Sequence, residues 1–156
     1  MSWQNYINGY QNYLKIEKSL SSNTVEAYCR DIQKMNLFFN NGDSSKKIKF
    51  IKHEDFQDYL SQLNTLKISA RSQSRIISSI RSFFKYLILE KIIKTNPSNL
   101  LENPKTGKKL PEFLTIEEID LIVNEVDRSK IDGERNLAIL EVLYGCGLRV
   151  TELLEL

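Results

Sequence analysis

The stretch ARSQSRIISSIRSFFKYL, residues 70–87, constrains the fold more than any other part of the chain. At roughly 100° per residue, with Arg71 as origin, Ile76, Ile77, Ile80, Phe83, Phe84 and Leu87 fall between about 120° and 240°. One-sided burial of this kind predicts a long helix lying on a core, over about residues 70–90, with Ser69 as its N-cap. The opposite arc holds Arg71, Arg75, Ser78, Ser82 and Lys85, with Ser74 and Arg81 at its edge. No acidic residue occurs between positions 70 and 89. A solvated helix face usually mixes signs, because Glu–Lys pairs at i,i+4 add a few tenths of a kcal/mol. A face of arginine and serine gives up that support.

Three further amphipathic patterns precede it. Trp3, Ile7, Tyr10 and Leu14 mark a first helix over about 3–18. Ser21, Ser22 and Asn23 offer caps for a second, where Asn23 and Glu26 fit a capping box and Val25, Tyr28, Cys29, Ile32 and Phe39 form the core face. A third, about 53–64, buries Phe56, Leu60 and Leu63. Strand signals are nearly absent, so residues 1–95 are expected to fold as an all-α, four-helix domain. KTNPSNLLENPKTGKKLPEF, with three prolines and four lysines, is expected to be an extended connector over 96–110. Residues 111–156 begin a second unit: Thr115 and Glu118 fit a capping box, and another helix is predicted over about 134–144. Gly145 and Gly147 are expected to form a tight turn after it.

The net charge of +2 conceals an asymmetry. Residues 1–110 carry 18 Lys/Arg against 9 Asp/Glu, and residues 111–156 carry 4 against 11. A basic front and an acidic back point to two units, the first facing a polyanion. No apolar run approaches the ~20 residues of a membrane span. The two cysteines, Cys29 and Cys146, match no metal or redox spacing, and the expected setting is cytoplasmic with reduced thiols. His53 is the sole histidine, which excludes His-based metal clusters and Ser-His-Asp triads, so no metal site is expected.

Duplex DNA suits the 70–89 face. Arginine forks onto phosphates or guanine edges, and serine hydroxyls bond phosphates while letting the helix come close. The contact candidates are Arg71, Ser72, Arg75 and Arg81, with Asn23 and Thr24 at the start of the second helix, where capping explains them equally well. A helical protein–protein adaptor with acidic partners, or a complete non-enzymatic DNA-binding or decoy factor, would carry the same face.

The chain ends on GCGLRVTELLEL, with no helix stop signal after it. Arg149 is expected in the first turn of a new helix, with Glu152 three residues on along the same face. YGCGLRVTELLEL resembles the first-arginine motif of Xer-type tyrosine recombinases, within the phage integrase superfamily. The front half resembles that family's core-binding domain, and LSSNTVEAYCRDI, SARSQSRIISSIRSFFKYLILEKII followed by TNP, and LPEFLTIEEI fall in the family's usual order.

The resemblance implies a SAM-like core-binding domain followed by the first helices of a truncated catalytic domain. It implies a partner, double-stranded DNA with an inverted-repeat recombination site, and a tetramer of recombinases in the full enzyme. Lys105, Lys108 and Lys109 would run near the DNA backbone. Arg149 matches the arginine that neutralises the transition-state phosphate, and Glu152 the acidic residue that supports it. Strand exchange in the family proceeds through a phosphotyrosyl link without ATP, metal or other cofactor. The family's His-x-x-Arg box and nucleophilic tyrosine motif are not found in these 156 residues; His53 is followed by Glu-Asp-Phe. The piece is therefore expected to bind DNA without cutting it, and to expose an apolar patch at Leu153, Leu154 and Leu156.

Overall fold

The computed structural model describes residues 2–40, 46–105, 107 and 112–156. All regular structure among them is helical: α1 (Trp3–Asn12), running into a π turn (Tyr13–Glu17), α2 (Ser22–Asn40), a 3₁₀ turn (Ile48–Phe50), α3 (His53–Thr65), α4 (Ala70–Leu89), α5 (Ile116–Asn124), α6 (Gly133–Cys146) and α7 (Val150–Leu153). The chain divides into two compact units, Met1–Gly107 and Lys108–Leu156.

The first unit holds the core. Every buried hydrophobic residue described lies between Ile7 and Leu101. The apolar arc of α4 is buried as its periodicity requires: Ile76, Ile77, Ile80, Phe83, Phe84 and Leu87 are all inside. Phe84 meets Phe56 of α3 edge-on at 5.3 Å, and Phe83 meets Tyr10 of α1 in the same way at 5.1 Å. Gly9 lets α1 come close to α4, since a Cβ there would lie 2.3 Å from the Tyr86 hydroxyl. Trp3 anchors the start of α1 by donating its indole N–H to the Lys46 carbonyl at 3.0 Å.

Details differ from the periodicity. Met35 and Tyr59 are buried, whereas Trp3, Tyr28 and Leu60 are half-buried against the core. The helix predicted over 3–18 ends in the π turn, closed by the Lys18 amide on the Tyr13 carbonyl at 3.1 Å. The start of the proline-rich stretch is packed rather than extended. Ser98 and Leu101 are buried, and Asn96 Oδ1 accepts from the Ser98 amide (2.9 Å) and hydroxyl (2.7 Å), an Asx turn.

In the second unit, α5 starts with the capping box its sequence specifies. The Thr115 amide donates to Glu118 at 2.8 Å, and the Glu118 amide to the Thr115 hydroxyl at 3.3 Å. Gly145 lies inside α6, and of the two glycines Gly147 alone takes the left-handed conformation, at φ 62°, as the helix terminates. Neither α5 nor α7 buries a residue, and α6 buries only Gly133.

Candidate nucleic-acid interface

The outward arc of α4 resolves into a centre and two flanks. Arg71 and Lys85 are exposed at the centre, with Ser78 and Ser82 half-buried between them. Arg71 and Lys85 have no ion-pair partner among the described residues. Ser78 returns its hydroxyl to the Ser74 carbonyl at 2.9 Å, as helical serines do when no other acceptor is offered. Ser72 belongs to the cap: its amide donates to the Ser69 hydroxyl at 3.3 Å, and the two hydroxyls lie 3.0 Å apart. The sequence-predicted contact Ser72 is thus already engaged in starting the helix.

Both flanking arginines reach inward. Arg75 pairs through Nη1 with Asp31 Oδ2 of α2, and the same nitrogen lies 3.4 Å from the Ala27 carbonyl. The two partners differ sharply, with side chains 42% and 1% exposed respectively. A carboxylate so deeply buried requires a counter-charge and hydrogen bonds. Ser79 supplies one of these, its hydroxyl standing 3.3 Å from Asp31 Oδ2 and 2.8 Å from the Ile76 carbonyl. Tyr59 faces the same charge. Burial, and then the nearby Asp31, push its hydroxyl pKa up to about 12. Asp31 lies inside as the partner of Arg75.

On the other flank, Arg81 donates through Nη2 to the Leu101 carbonyl and holds the buried Ser98–Leu101 turn against α4. Of the connector lysines, Lys105 is exposed, and Lys108 and Lys109 lie outside the described residues. At the start of α2 the helix begins at Ser22, which puts Asn23 in its first turn rather than at the cap. Asn23 is exposed, and Thr24 is half-buried with its hydroxyl 3.0 Å from that of Ser21. The Ser21 carbonyl accepts the Val25 amide at 3.0 Å, so Ser21 occupies the cap position.

Arg149 stands at the N-cap of α7 rather than in its first turn. Glu152 accepts its backbone amide at 2.7 Å and its Nη1 at 3.0 Å. The pair is open, with side chains 83% and 45% exposed. Glu152 thus holds both the backbone amide and the guanidinium of Arg149. Leu154 and Leu156 are exposed, and Leu153 is half-buried.

Sequence reasoning missed Asp31 and Ser79. Ser79 carried a signal, since it sits at about 80° on the α4 wheel between Arg75 and the apolar arc. That border, beside Arg75, is where the Asp31 carboxylate enters.

A basic, helical unit with an arginine-centred outward face is the setting for the comparisons with known proteins. Residues 7–91 match the family model for the phage integrase N-terminal SAM-like domain, over more than half of the chain. The chain belongs to this family. Tyrosine recombinase XerD of Staphylococcus haemolyticus (strain JCSC1435) is 40% identical over 150 residues, which is 96% of this chain and 50% of that protein. Tyrosine recombinase XerD of Staphylococcus aureus (strain N315) is 41% identical over the same spans. This integrase-family chain covers about half the length of the curated relatives it matches. The Xer-type resemblance read from its motifs is thereby matched along 96% of the chain. No helix among the described residues of this family member is long and apolar enough to cross a membrane.

Proposed function

We propose that these residues form the duplex-binding part of a site-specific tyrosine recombinase, with α4 as the principal DNA-facing element. The observation that carries the reading is the centre of the α4 face, where exposed Arg71 and Lys85 flank small serines with no acidic residue on that arc. Unpaired cations backed by small hydroxyls suit a phosphate backbone, which an ordinary soluble surface does not require. Arg75 stands beside this centre with one edge of its guanidinium occupied, and Asn23 and Lys105 add exposed polar groups. Arg81 contributes charge near the face, though its fork is engaged with the Leu101 carbonyl.

Arg149 is assigned the role of neutralising the phosphate undergoing transfer, held in place by Glu152. Five N–H donors in a planar fork leave several free after one carboxylate contact. Cleavage would need a nucleophilic tyrosine and further cations beyond the groups present in these 156 residues, so the activity assigned to them is binding. In the assembled recombinase the target would carry inverted repeats, each bound by one protomer of a tetramer.

Titration of the 156-residue chain against an inverted-repeat recombination site and a scrambled duplex, at two salt concentrations, tests the reading. Binding that weakens steeply with salt is expected, and Arg71→Ala should lower the salt slope by about 1. No binding to either duplex at low salt would overturn it.

A further inference from the structure

We infer that Asp31 is a positioning residue for DNA contact by Arg75: the buried carboxylate holds one edge of the guanidinium and leaves the rest of the fork open to solvent. The inference rests on the DNA-binding reading above. Nη1 of Arg75 is committed to Asp31 and to the Ala27 carbonyl, whereas Nε and Nη2 have no protein acceptor among the described residues. The side chain is 42% exposed and lies on the same arc as Arg71, Ser78 and Ser82. A free arginine loses most of its rotamer freedom when it meets a phosphate or a base. Arg75 has already lost it, because α2 supplies two acceptors and Ser79 steadies the carboxylate from α4 itself. The bond geometry of the fork then decides which donors face outward.

Charge counting and positioning predict opposite signs for one substitution. Asp31→Asn removes a negative charge from a DNA-facing unit, so electrostatics alone would tighten binding. If Asp31 positions Arg75, the same change weakens it, because an amide oxygen is a poorer anchor for guanidinium than a carboxylate.

The experiment is a fluorescence-anisotropy titration of a labelled recombination-site duplex with the 156-residue chain. It compares wild type, Asp31→Asn, Arg75→Gln and the double variant, with urea unfolding run alongside. Asp31→Asn is expected to bind about fivefold more weakly, the scale of one misplaced charge-assisted contact. It should have no further effect once Arg75 is glutamine. Unchanged or tighter binding by Asp31→Asn overturns the inference, as does an equal loss in the Arg75→Gln background. If Asp31→Asn does not fold, Ser79→Ala takes its place, with a loss of about twofold that vanishes without Arg75; no loss overturns the inference. Wild-type chain that binds no duplex at low salt removes the DNA reading itself. Wild type that binds, and weakens on Arg71→Ala but not on Asp31→Asn, removes the positioning role alone.

Discussion

The two units hold arginine–carboxylate pairs that look alike in sequence and differ in physics. Arg75 reaches from α4 to a carboxylate 1% exposed on α2, across 44 residues of chain. Arg149 meets Glu152 three residues away, with both side chains largely in water. The first pair ties two helices together around a buried charge. The second sets a local rotamer. The same contrast runs through the packing, since every buried hydrophobic residue described belongs to the first unit and α5 and α7 bury none. Helices can therefore be specified locally in both units, while tertiary stability resides in one.

That contrast can be broken most forcefully at the core. Phe84→Ala removes a ring packed edge-on against Phe56 and Phe83 and should cost about 3–5 kcal/mol in urea unfolding. Leu121→Ala, at 64% exposed on α5, should change the same transition by less than about 0.5 kcal/mol. A comparable loss from both would mean that the second unit has a core of its own.

Next come the two arginines. Arg75→Ala leaves Asp31 buried without its cation and should destabilise by about 1–3 kcal/mol, moderated because the guanidinium is partly in solvent. Arg149→Ala, from an exposed pair, should cost under about 0.5 kcal/mol. Equal effects would erase the distinction between the pairs.

Caps should behave alike in the two units, because they are local. Ser69→Ala and Thr115→Ala each remove a hydroxyl that accepts an amide in the first turn, and each should cost its helix about 1 kcal/mol, read from helicity by far-ultraviolet circular dichroism.

The smallest expected effect concerns acid. Burial alone would raise the Asp55 pKa, but hydrogen bonds from Lys46 and the Lys52 amide outweigh it and hold it below its ordinary 3.8. A carboxylate with a lowered folded pKa adds stability that is complete above its unfolded value and is lost as pH falls through the folded one. Urea midpoints measured downward from pH 5 should therefore drop less steeply in Asp55→Asn than in wild type. A parallel drop would show that Asp55 contributes nothing to acid lability.

The helices were legible because their determinants are short-range. The wheel of residues 70–89 identified six of the residues that α4 buries but not Tyr86, which lies off the apolar arc, and Thr115 and Glu118 announced the cap of α5. Arg149 with Glu152 was legible for the same reason, at a spacing of three residues. What escaped depends on partners distant in sequence. Asp31 looks like any surface carboxylate of an amphipathic helix until α4 delivers Arg75 and Ser79 to it. Ser98 and Leu101 sit in a proline-rich stretch that reads as linker, and only the Arg81 fork on the Leu101 carbonyl shows why it is folded down. The three arginines of α4 were indistinguishable by type; among the described residues, one has no ion-pair partner, one is pinned to a charge and one is spent on backbone.

The central claim is that the centre of the α4 face meets the duplex. Backbone amide shifts of the ¹⁵N-labelled chain, followed as a recombination-site duplex is added, test it most directly. The account predicts the largest perturbations at Arg71, Arg75, Ser78, Ser82 and Lys85, with the amides of α5 little changed. Perturbations concentrated instead around the Lys46–Lys52 segment, with α4 silent, would contradict it.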